Sequence, residues 1–238
     1  MRNVMLMALL FPLAFLTTSV ASAAGIQIGK TRVIYEANKK EVALPIFNKE
    51  AENPWLVQSW VDTGDGKTRG PFIVTPPLFR LDAMKEQSLR IIWSGAALPQ
   101  DRESLFYLNV RTIPAADKAD KANNVLRLIY KTRLKLFFRP KGLEGGPGEA
   151  CAKLQFNLSG KTLQVKNLSS YYVVFDALYL GNALIRNADM VAPKSVYTLE
   201  IPANTPGTNP SWRCINDYGS SSEKYSTQDV GVIKTDAP

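Results

Sequence analysis

The feature that most limits how this chain folds is a succession of short segments with a two-residue period, with no sustained helical period after the first 24 residues. Thr31 to Tyr35, Glu41 to Asn48, Trp55 to Asp62, Ser88 to Trp93, Leu105 to Thr112 and Val125 to Arg139 are each rich in β-branched, aromatic or leucine residues. Side chains alternate faces along a strand, so such segments bury one face against a core. Turn formers such as Gly64-Asp65-Gly66 and Pro76-Pro77 separate them. Strand-like segments resume at Lys153 to Leu158, Thr162 to Asn167, Tyr171 to Leu180, Ser195 to Ile201 and Cys214 to Tyr218. Between the two sets, Arg-Pro-Lys-Gly-Leu-Glu-Gly-Gly-Pro-Gly-Glu at Arg139 to Glu149 reads as a linker. The chain is expected to be all-β, with two sandwiches of roughly 115 and 90 residues.

The first 24 residues read as an export signal. Arg2 supplies the positive start, Val4 to Leu16 an apolar run broken by Pro12, and Ala21-Ser22-Ala23 a small-residue cleavage site. The run is shorter than the roughly 20 apolar residues a spanning helix needs, and no later stretch replaces it, so no membrane insertion is expected. The expected organisation is then residues 1–24 as signal, 25–140 as the first domain, 141–149 as linker and 150–238 as the second domain.

Cysteine usage fits export. Cys151 and Cys214 are the only two, and an even pair in an exported chain reads as one disulfide. The chain has no histidine, which removes the commonest general base and metal ligand. With no nucleophile elbow and no convincing paired-carboxylate motif either, an enzyme is disfavoured, and no cofactor or metal is expected. The net charge of +8 raises nucleic acid as a partner. The cations are spread along the chain, however, with the densest run at Lys131, Arg133, Lys135, Arg139 and Lys141. A basic groove for a carboxylate-bearing protein is the better reading, and no nucleic acid partner is expected.

Leu98 to Pro114, reading Leu-Pro-Gln-Asp-Arg-Glu-Ser-Leu-Phe-Tyr-Leu-Asn-Val-Arg-Thr-Ile-Pro, closely resembles the signature of the periplasmic pilus chaperones of the chaperone–usher pathway. Four further motifs follow in family order. They are Thr31-Arg32-Val33-Ile34-Tyr35, Thr75-Pro76-Pro77-Leu78-Phe79-Arg80-Leu81, the run from Lys131 to Pro140, and Ile215-Asn216-Asp217-Tyr218-Gly219. The resemblance implies two immunoglobulin-like β-sandwich domains set at an angle, with a subunit-binding interdomain cleft. It also implies an ATP-independent periplasmic chaperone that hands pilus subunits to an outer-membrane usher.

The resemblance also implies roles for particular residues. Arg32 and Lys135 would grip the C-terminal carboxylate of the subunit, since a guanidinium fork and an ammonium both form charge-assisted hydrogen bonds to such an anion. Thr31 and Thr132 would add hydroxyl contacts. Leu126, Leu128 and Tyr130 would be the strand residues donated to a subunit lacking its own last strand, although Ile129 with Leu134 and Leu136 is an alternative inward set. Arg90, Glu103 and Asp217 would form a charged cluster linking the domains. The loop from Pro114 to Asn124 looks like the short form that goes with rod-like, adhesin-tipped pili. An exported pilus subunit or immunoglobulin-like adhesin is the rival reading, though it would carry its disulfide early and end in a strand motif. The sequence leaves open whether Pro76 is cis and whether the free protein self-caps as a homo-oligomer.

Overall fold

Alternation decides which side of each segment goes inside, and the burial along the chain follows it closely. The structure is a computed structural model that describes residues 25–115, 126–202, 205 and 207–227. The expected export signal, all but the first two residues of the Pro114 to Asn124 loop and the last residues of the chain lie outside these.

The first sandwich comprises β1 (Ile26–Ile28), β2 (Arg32–Glu36), β3 (Val42–Asn48), β4 (Trp55–Asp62), β5 (Phe72–Thr75), β6 (Leu78–Leu81), β7 (Glu86–Trp93), β8 (Ser104–Pro114) and β9 (Tyr130–Arg139). One sheet has the order β1-β3-β7-β5 and the other β2-β9-β8-β4-β6. Inward positions are the alternate ones: Val33 and Tyr35 from β2, Val57 and Val61 from β4, Leu108 and Val110 from β8, Leu134, Leu136 and Phe138 from β9. Leu44 and Ile46 on β3 and Leu89 and Ile91 on β7 meet them from the facing sheet. The Thr75–Pro76 peptide bond is cis, which settles the isomer.

The second sandwich begins with α1 (Pro147–Ala152) and continues through β10 (Gln155–Ser159), β11 (Thr162–Asn167), β12 (Val173–Leu180), β13 (Ala183–Leu184), β14 (Met190–Val191), β15 (Ser195–Glu200), β16 (Pro210–Cys214) and β17 (Tyr225–Ser226). Its sheets are β10-β11-β15 and β13-β12-β16-β17, with β14 on β12. Leu154, Leu163, Val165, Leu178 and Trp212 fill the core, beside a Cys151–Cys214 disulfide that ties α1 to the end of β16. The Trp212 indole donates to the Cys151 carbonyl at 2.9 Å, so helix, disulfide and core form one unit.

Two stretches differ from the sequence reading. The expected linker is folded onto the second sandwich: Leu143 packs on its core, and Tyr171 Oη donates to the Gly145 carbonyl at 3.1 Å. Pro147 at the start of α1, with Gly146 extended before it, explains why helix begins there. The strand expected from Cys214 to Tyr218 stops early: Cys214 ends β16, Ile215 makes only a bridge to Ser221, and the chain then turns, because Asn216 Oδ1 accepts the backbone N–H groups of Tyr218 and Ser220, each at 3.0 Å.

The two sandwiches solve the same corner with the same residue type. Asn48 ends β3 and donates Nδ2 to the carbonyls of Asn53, Leu81 and Asp82; Asn167 ends β11 and does so to Tyr171, Val191 and Ala192. Both are buried, so removing the amide strands several carbonyls. Asn167→Ala is expected to cost about 1–3 kcal/mol, read as a lower denaturant midpoint at unchanged slope.

Candidate functional site

β2 and β9 run parallel, and their register sets Arg32 opposite Lys135. On β9 the even positions Leu134, Leu136 and Phe138 face the core. The odd positions Lys131, Arg133, Lys135, Phe137 and Arg139 therefore lie on the outer face. That face is not all solvent. Phe137 is buried because Tyr172 of the second sandwich packs on it, ring centroids 5.5 Å apart. A cavity of about 240 Å³ opens between the sandwiches, lined by Arg32, Glu103, Phe137, Arg139, Tyr172 and Asp217 among others.

The basic run of β9 is a ladder in which each cation has its own surroundings. Lys131 sits over the Trp60 ring with Arg69 and Arg111, at 5.9, 5.6 and 5.2 Å from its centroid. Arg133 lies over Tyr107 and pairs with the buried Asp62 carboxylate at 3.0 Å, which also accepts from Asn109. Lys135 Nζ reaches Asp189 Oδ1 of the second sandwich at 2.7 Å. Arg32, 8% exposed, donates Nη1 to the Ile215 carbonyl at 3.2 Å, while its Nε has no partner among the described residues. Burial pulls the Arg32 pKa down and Asp217 works against that fall. A guanidinium nonetheless stays charged at any ordinary pH, so Arg32 is a cation with an unused donor.

Below this lies the interdomain charge cluster, and its cation is Arg139. Arg139 Nε bonds Glu103 Oε1 at 2.6 Å, while Nη1 and Nη2 grip both oxygens of Asp217 at 2.7 and 3.0 Å. Glu103 Oε2 accepts the Tyr172 backbone N–H at 2.8 Å. Burial pushes the Glu103 carboxyl up, and the Arg139 charge pulls it back. Arg90, expected here with Glu103 and Asp217, is elsewhere. It projects from β7, in the other sheet, and pairs loosely with Glu41 at 3.7 Å. The reason is register: Ser104 pairs with Phe138, so Glu103 falls beside Arg139 at the end of the β8–β9 ladder.

The remaining expected site residues divide. Thr31 is exposed and borders Gly219, which has φ +88° and no space for a Cβ against the threonine side chain. The Asp217 turn is thus seated directly on the start of β2. Thr132 is exposed and takes the even parity of β9, so it lies on the side opposite Lys135. Leu126, Leu128 and Tyr130 are all exposed, Leu126 to 85%, and Ile129 is exposed with them. Tyr130 shares its parity with the core-facing Leu134 and Leu136; Ile129 does not.

From Tyr130 to Leu134, β9 is hydrogen-bonded to β8 on one side, and β2 joins the other side only from Lys135 onward. Among the described residues that second edge carries no strand. An open sheet edge flanked by exposed apolar residues, next to two cations, is the kind of surface to which a further strand can be added.

Comparison with known proteins gives the chain a family. The model described as "Pili and flagellar-assembly chaperone, PapD N-terminal domain" matches residues 25–144, and "Pili assembly chaperone PapD, C-terminal domain" matches residues 149–226. The chaperone protein FimC of Escherichia coli strain K12 is 41% identical over 215 residues, covering 89% of this chain and 88% of the relative. The chaperone protein LpfB of Salmonella typhimurium is 39% identical over 203 residues, covering 84% and 88%. The SafB chaperone–SafA pilin complex of Salmonella enterica includes a chain matched at TM-score 0.78 and 32% identity, covering 86% of this chain and 96% of that one. The periplasmic chaperone SfaE matches at TM-score 0.74 and 35% identity, covering 85% and 98%. The chain belongs to the pili assembly chaperone family. No helix among the described residues is long and apolar enough to cross a membrane.

Proposed function

We propose that this protein works in the periplasm, capturing pilus subunits, completing their fold with its own strand and passing them to an outer-membrane usher without ATP. The observation that carries this reading is the start of β2 at Arg32, which leaves the β9 edge open from Tyr130 to Leu134. A subunit strand laid there in line with β2, parallel to β9, ends against the start of β2. Its terminal carboxylate then meets Arg32 and Lys135. An antiparallel strand would bring no terminal anion to these cations, so the charges select the parallel arrangement.

Leu126, Leu128 and Tyr130 are the donated set in this reading. They continue the parity of Leu134, Leu136 and Phe138, so the apolar face of the chaperone sheet runs on into the unfinished core of the subunit. Backbone pairing supplies affinity and the alternating side chains supply specificity. The Glu103–Arg139–Asp217 cluster fixes the second sandwich, and with it the Ile215 carbonyl that holds Arg32.

The test is co-expression with pilus subunits. Wild-type protein is expected to give one-to-one complexes that purify together, and Arg32→Ala or Lys135→Ala is expected to abolish them while the chaperone itself remains folded. Subunit yield that is the same with and without this protein would refute the proposal.

A further inference from the structure

Lys135 is already engaged. Its ammonium lies 2.7 Å from a carboxylate oxygen of Asp189, which comes from the stretch leading into β14, on the other sandwich and 54 residues away in sequence. The other groups set beside Lys135 by register are Arg32 on β2 and Tyr107 on β8, neither of which supplies an anion at neutral pH. Asp189 thus occupies the ammonium that a subunit carboxylate would use. We infer that Asp189 is an internal stand-in for the terminal carboxylate of the subunit, occupying Lys135 in the free protein and released when the subunit binds. This inference rests on the carboxylate-anchoring reading of Arg32 and Lys135.

The physical arrangement suits a group that must leave. The Asp189 side chain is 62% exposed and Lys135 23%, so the pair is held weakly and the freed carboxylate is readily hydrated. The backbone of Asp189 is held separately, its carbonyl accepting the Phe175 N–H at 2.9 Å. A rotation of the side chain therefore suffices, with no movement of the strand. An incoming α-carboxylate also meets Arg32, whose Nε is without a partner among the described residues. It gains contacts from two cations where Asp189 has one, and the exchange favours the subunit. Until then the aspartate keeps a partly buried ammonium neutralised, holds its rotamer and rejects weaker anions.

A comparable pair provides the control. Lys194 Nζ and Asp101 Oδ2 bridge the same two sandwiches at 2.8 Å without touching Lys135. The experiment follows capture of a pilus subunit, diluted from denaturant, by wild-type protein, Asp189→Asn, Asp101→Asn and Lys135→Ala. Removing the internal competitor in Asp189→Asn is expected to tighten capture by about two- to fivefold. Asp101→Asn should leave capture unchanged and Lys135→Ala should weaken it strongly. In the free protein, acylation of the Lys135 amine should speed up several-fold in Asp189→Asn and not in Asp101→Asn. Equal capture by Asp189→Asn and wild type, with Lys135→Ala still defective, would overturn the stand-in role and leave the anchor intact. Tighter capture by Asp101→Asn as well would also overturn it, since loosened domains would then explain the gain. A Lys135→Ala protein that captures normally would overturn the anchor and the stand-in together.

Discussion

Replacing Arg139 by alanine is expected to lower stability by about 3–5 kcal/mol, the range for removing one member of a buried ion pair. The Arg139 side chain is nearly buried and lies between Glu103, which is buried, and Asp217, which is half-buried. Without the guanidinium, Glu103 keeps only the Tyr172 N–H among the described residues, and its charge loses its counterpart. Burial already pushes the Glu103 carboxyl above its ordinary value of 4.5, and losing Arg139 pushes it further. A carboxyl raised in the folded state costs stability as pH rises from its unfolded value through its folded one, and that cost is absent below both. The deficit of Arg139→Ala should therefore be largest at neutral pH and shrink under acid conditions. Adding Glu103→Gln to Arg139→Ala should recover part of the loss, so the two changes will not add. Urea unfolding at several pH values reads all of this; a pH-independent deficit below 1 kcal/mol would show that the cluster carries no buried charge.

The second large effect concerns the disulfide. Cys151 and Cys214 close a loop of 63 residues within the second sandwich. Constraint of an unfolded loop of that size corresponds to about 4 kcal/mol. The double change Cys151→Ala and Cys214→Ala removes the cross-link while filling both buried sites with small apolar side chains. Thermal unfolding is expected to show a marked fall in the midpoint, equal to that of wild-type protein under reductant. An equal midpoint for variant and wild type would mean that the unfolded chain was not constrained by the link. The consequence reaches the cleft, because Cys214 immediately precedes Ile215, whose carbonyl holds Arg32, and Asp217, which holds Arg139.

Much of the fold was legible because the two-residue period is a direct consequence of strand geometry. Most of the expected strands map onto observed ones, and the resemblance carried by five ordered motifs pointed to the family to which the chain belongs. What period alone does not give is cross-strand register. Glu103 and Arg139 are 36 residues apart, and only the β8–β9 ladder makes them neighbours. Arg139 both ends the strand expected from Val125 and opens the linker-like stretch, and it shares the odd parity of Lys135 on one strand face, whereas Arg90 enters only through the family resemblance. That parity was the available signal. The same count separates Ile129 from Leu134 and Leu136, which cannot share a face in a regular strand. Asp189 left no signal at all, being one aspartate in a loop of the other sandwich, brought to Lys135 by packing between domains. The turn after Ile215 looks like strand because Cys214, Ile215 and Tyr218 are strand-forming residue types; the Asn216 side chain, which captures backbone N–H groups, decides otherwise.

The open edge of β9 is the proposed seat of the subunit strand. Amide hydrogen exchange across residues 130–134, compared between the free protein and its subunit complex, tests it most directly. The N–H groups on the unpaired edge should exchange quickly in the free protein and become strongly protected in the complex, up to Lys135 where β2 already pairs. Unchanged exchange over this stretch, with new protection on another edge strand such as β6 or β17, would contradict the account.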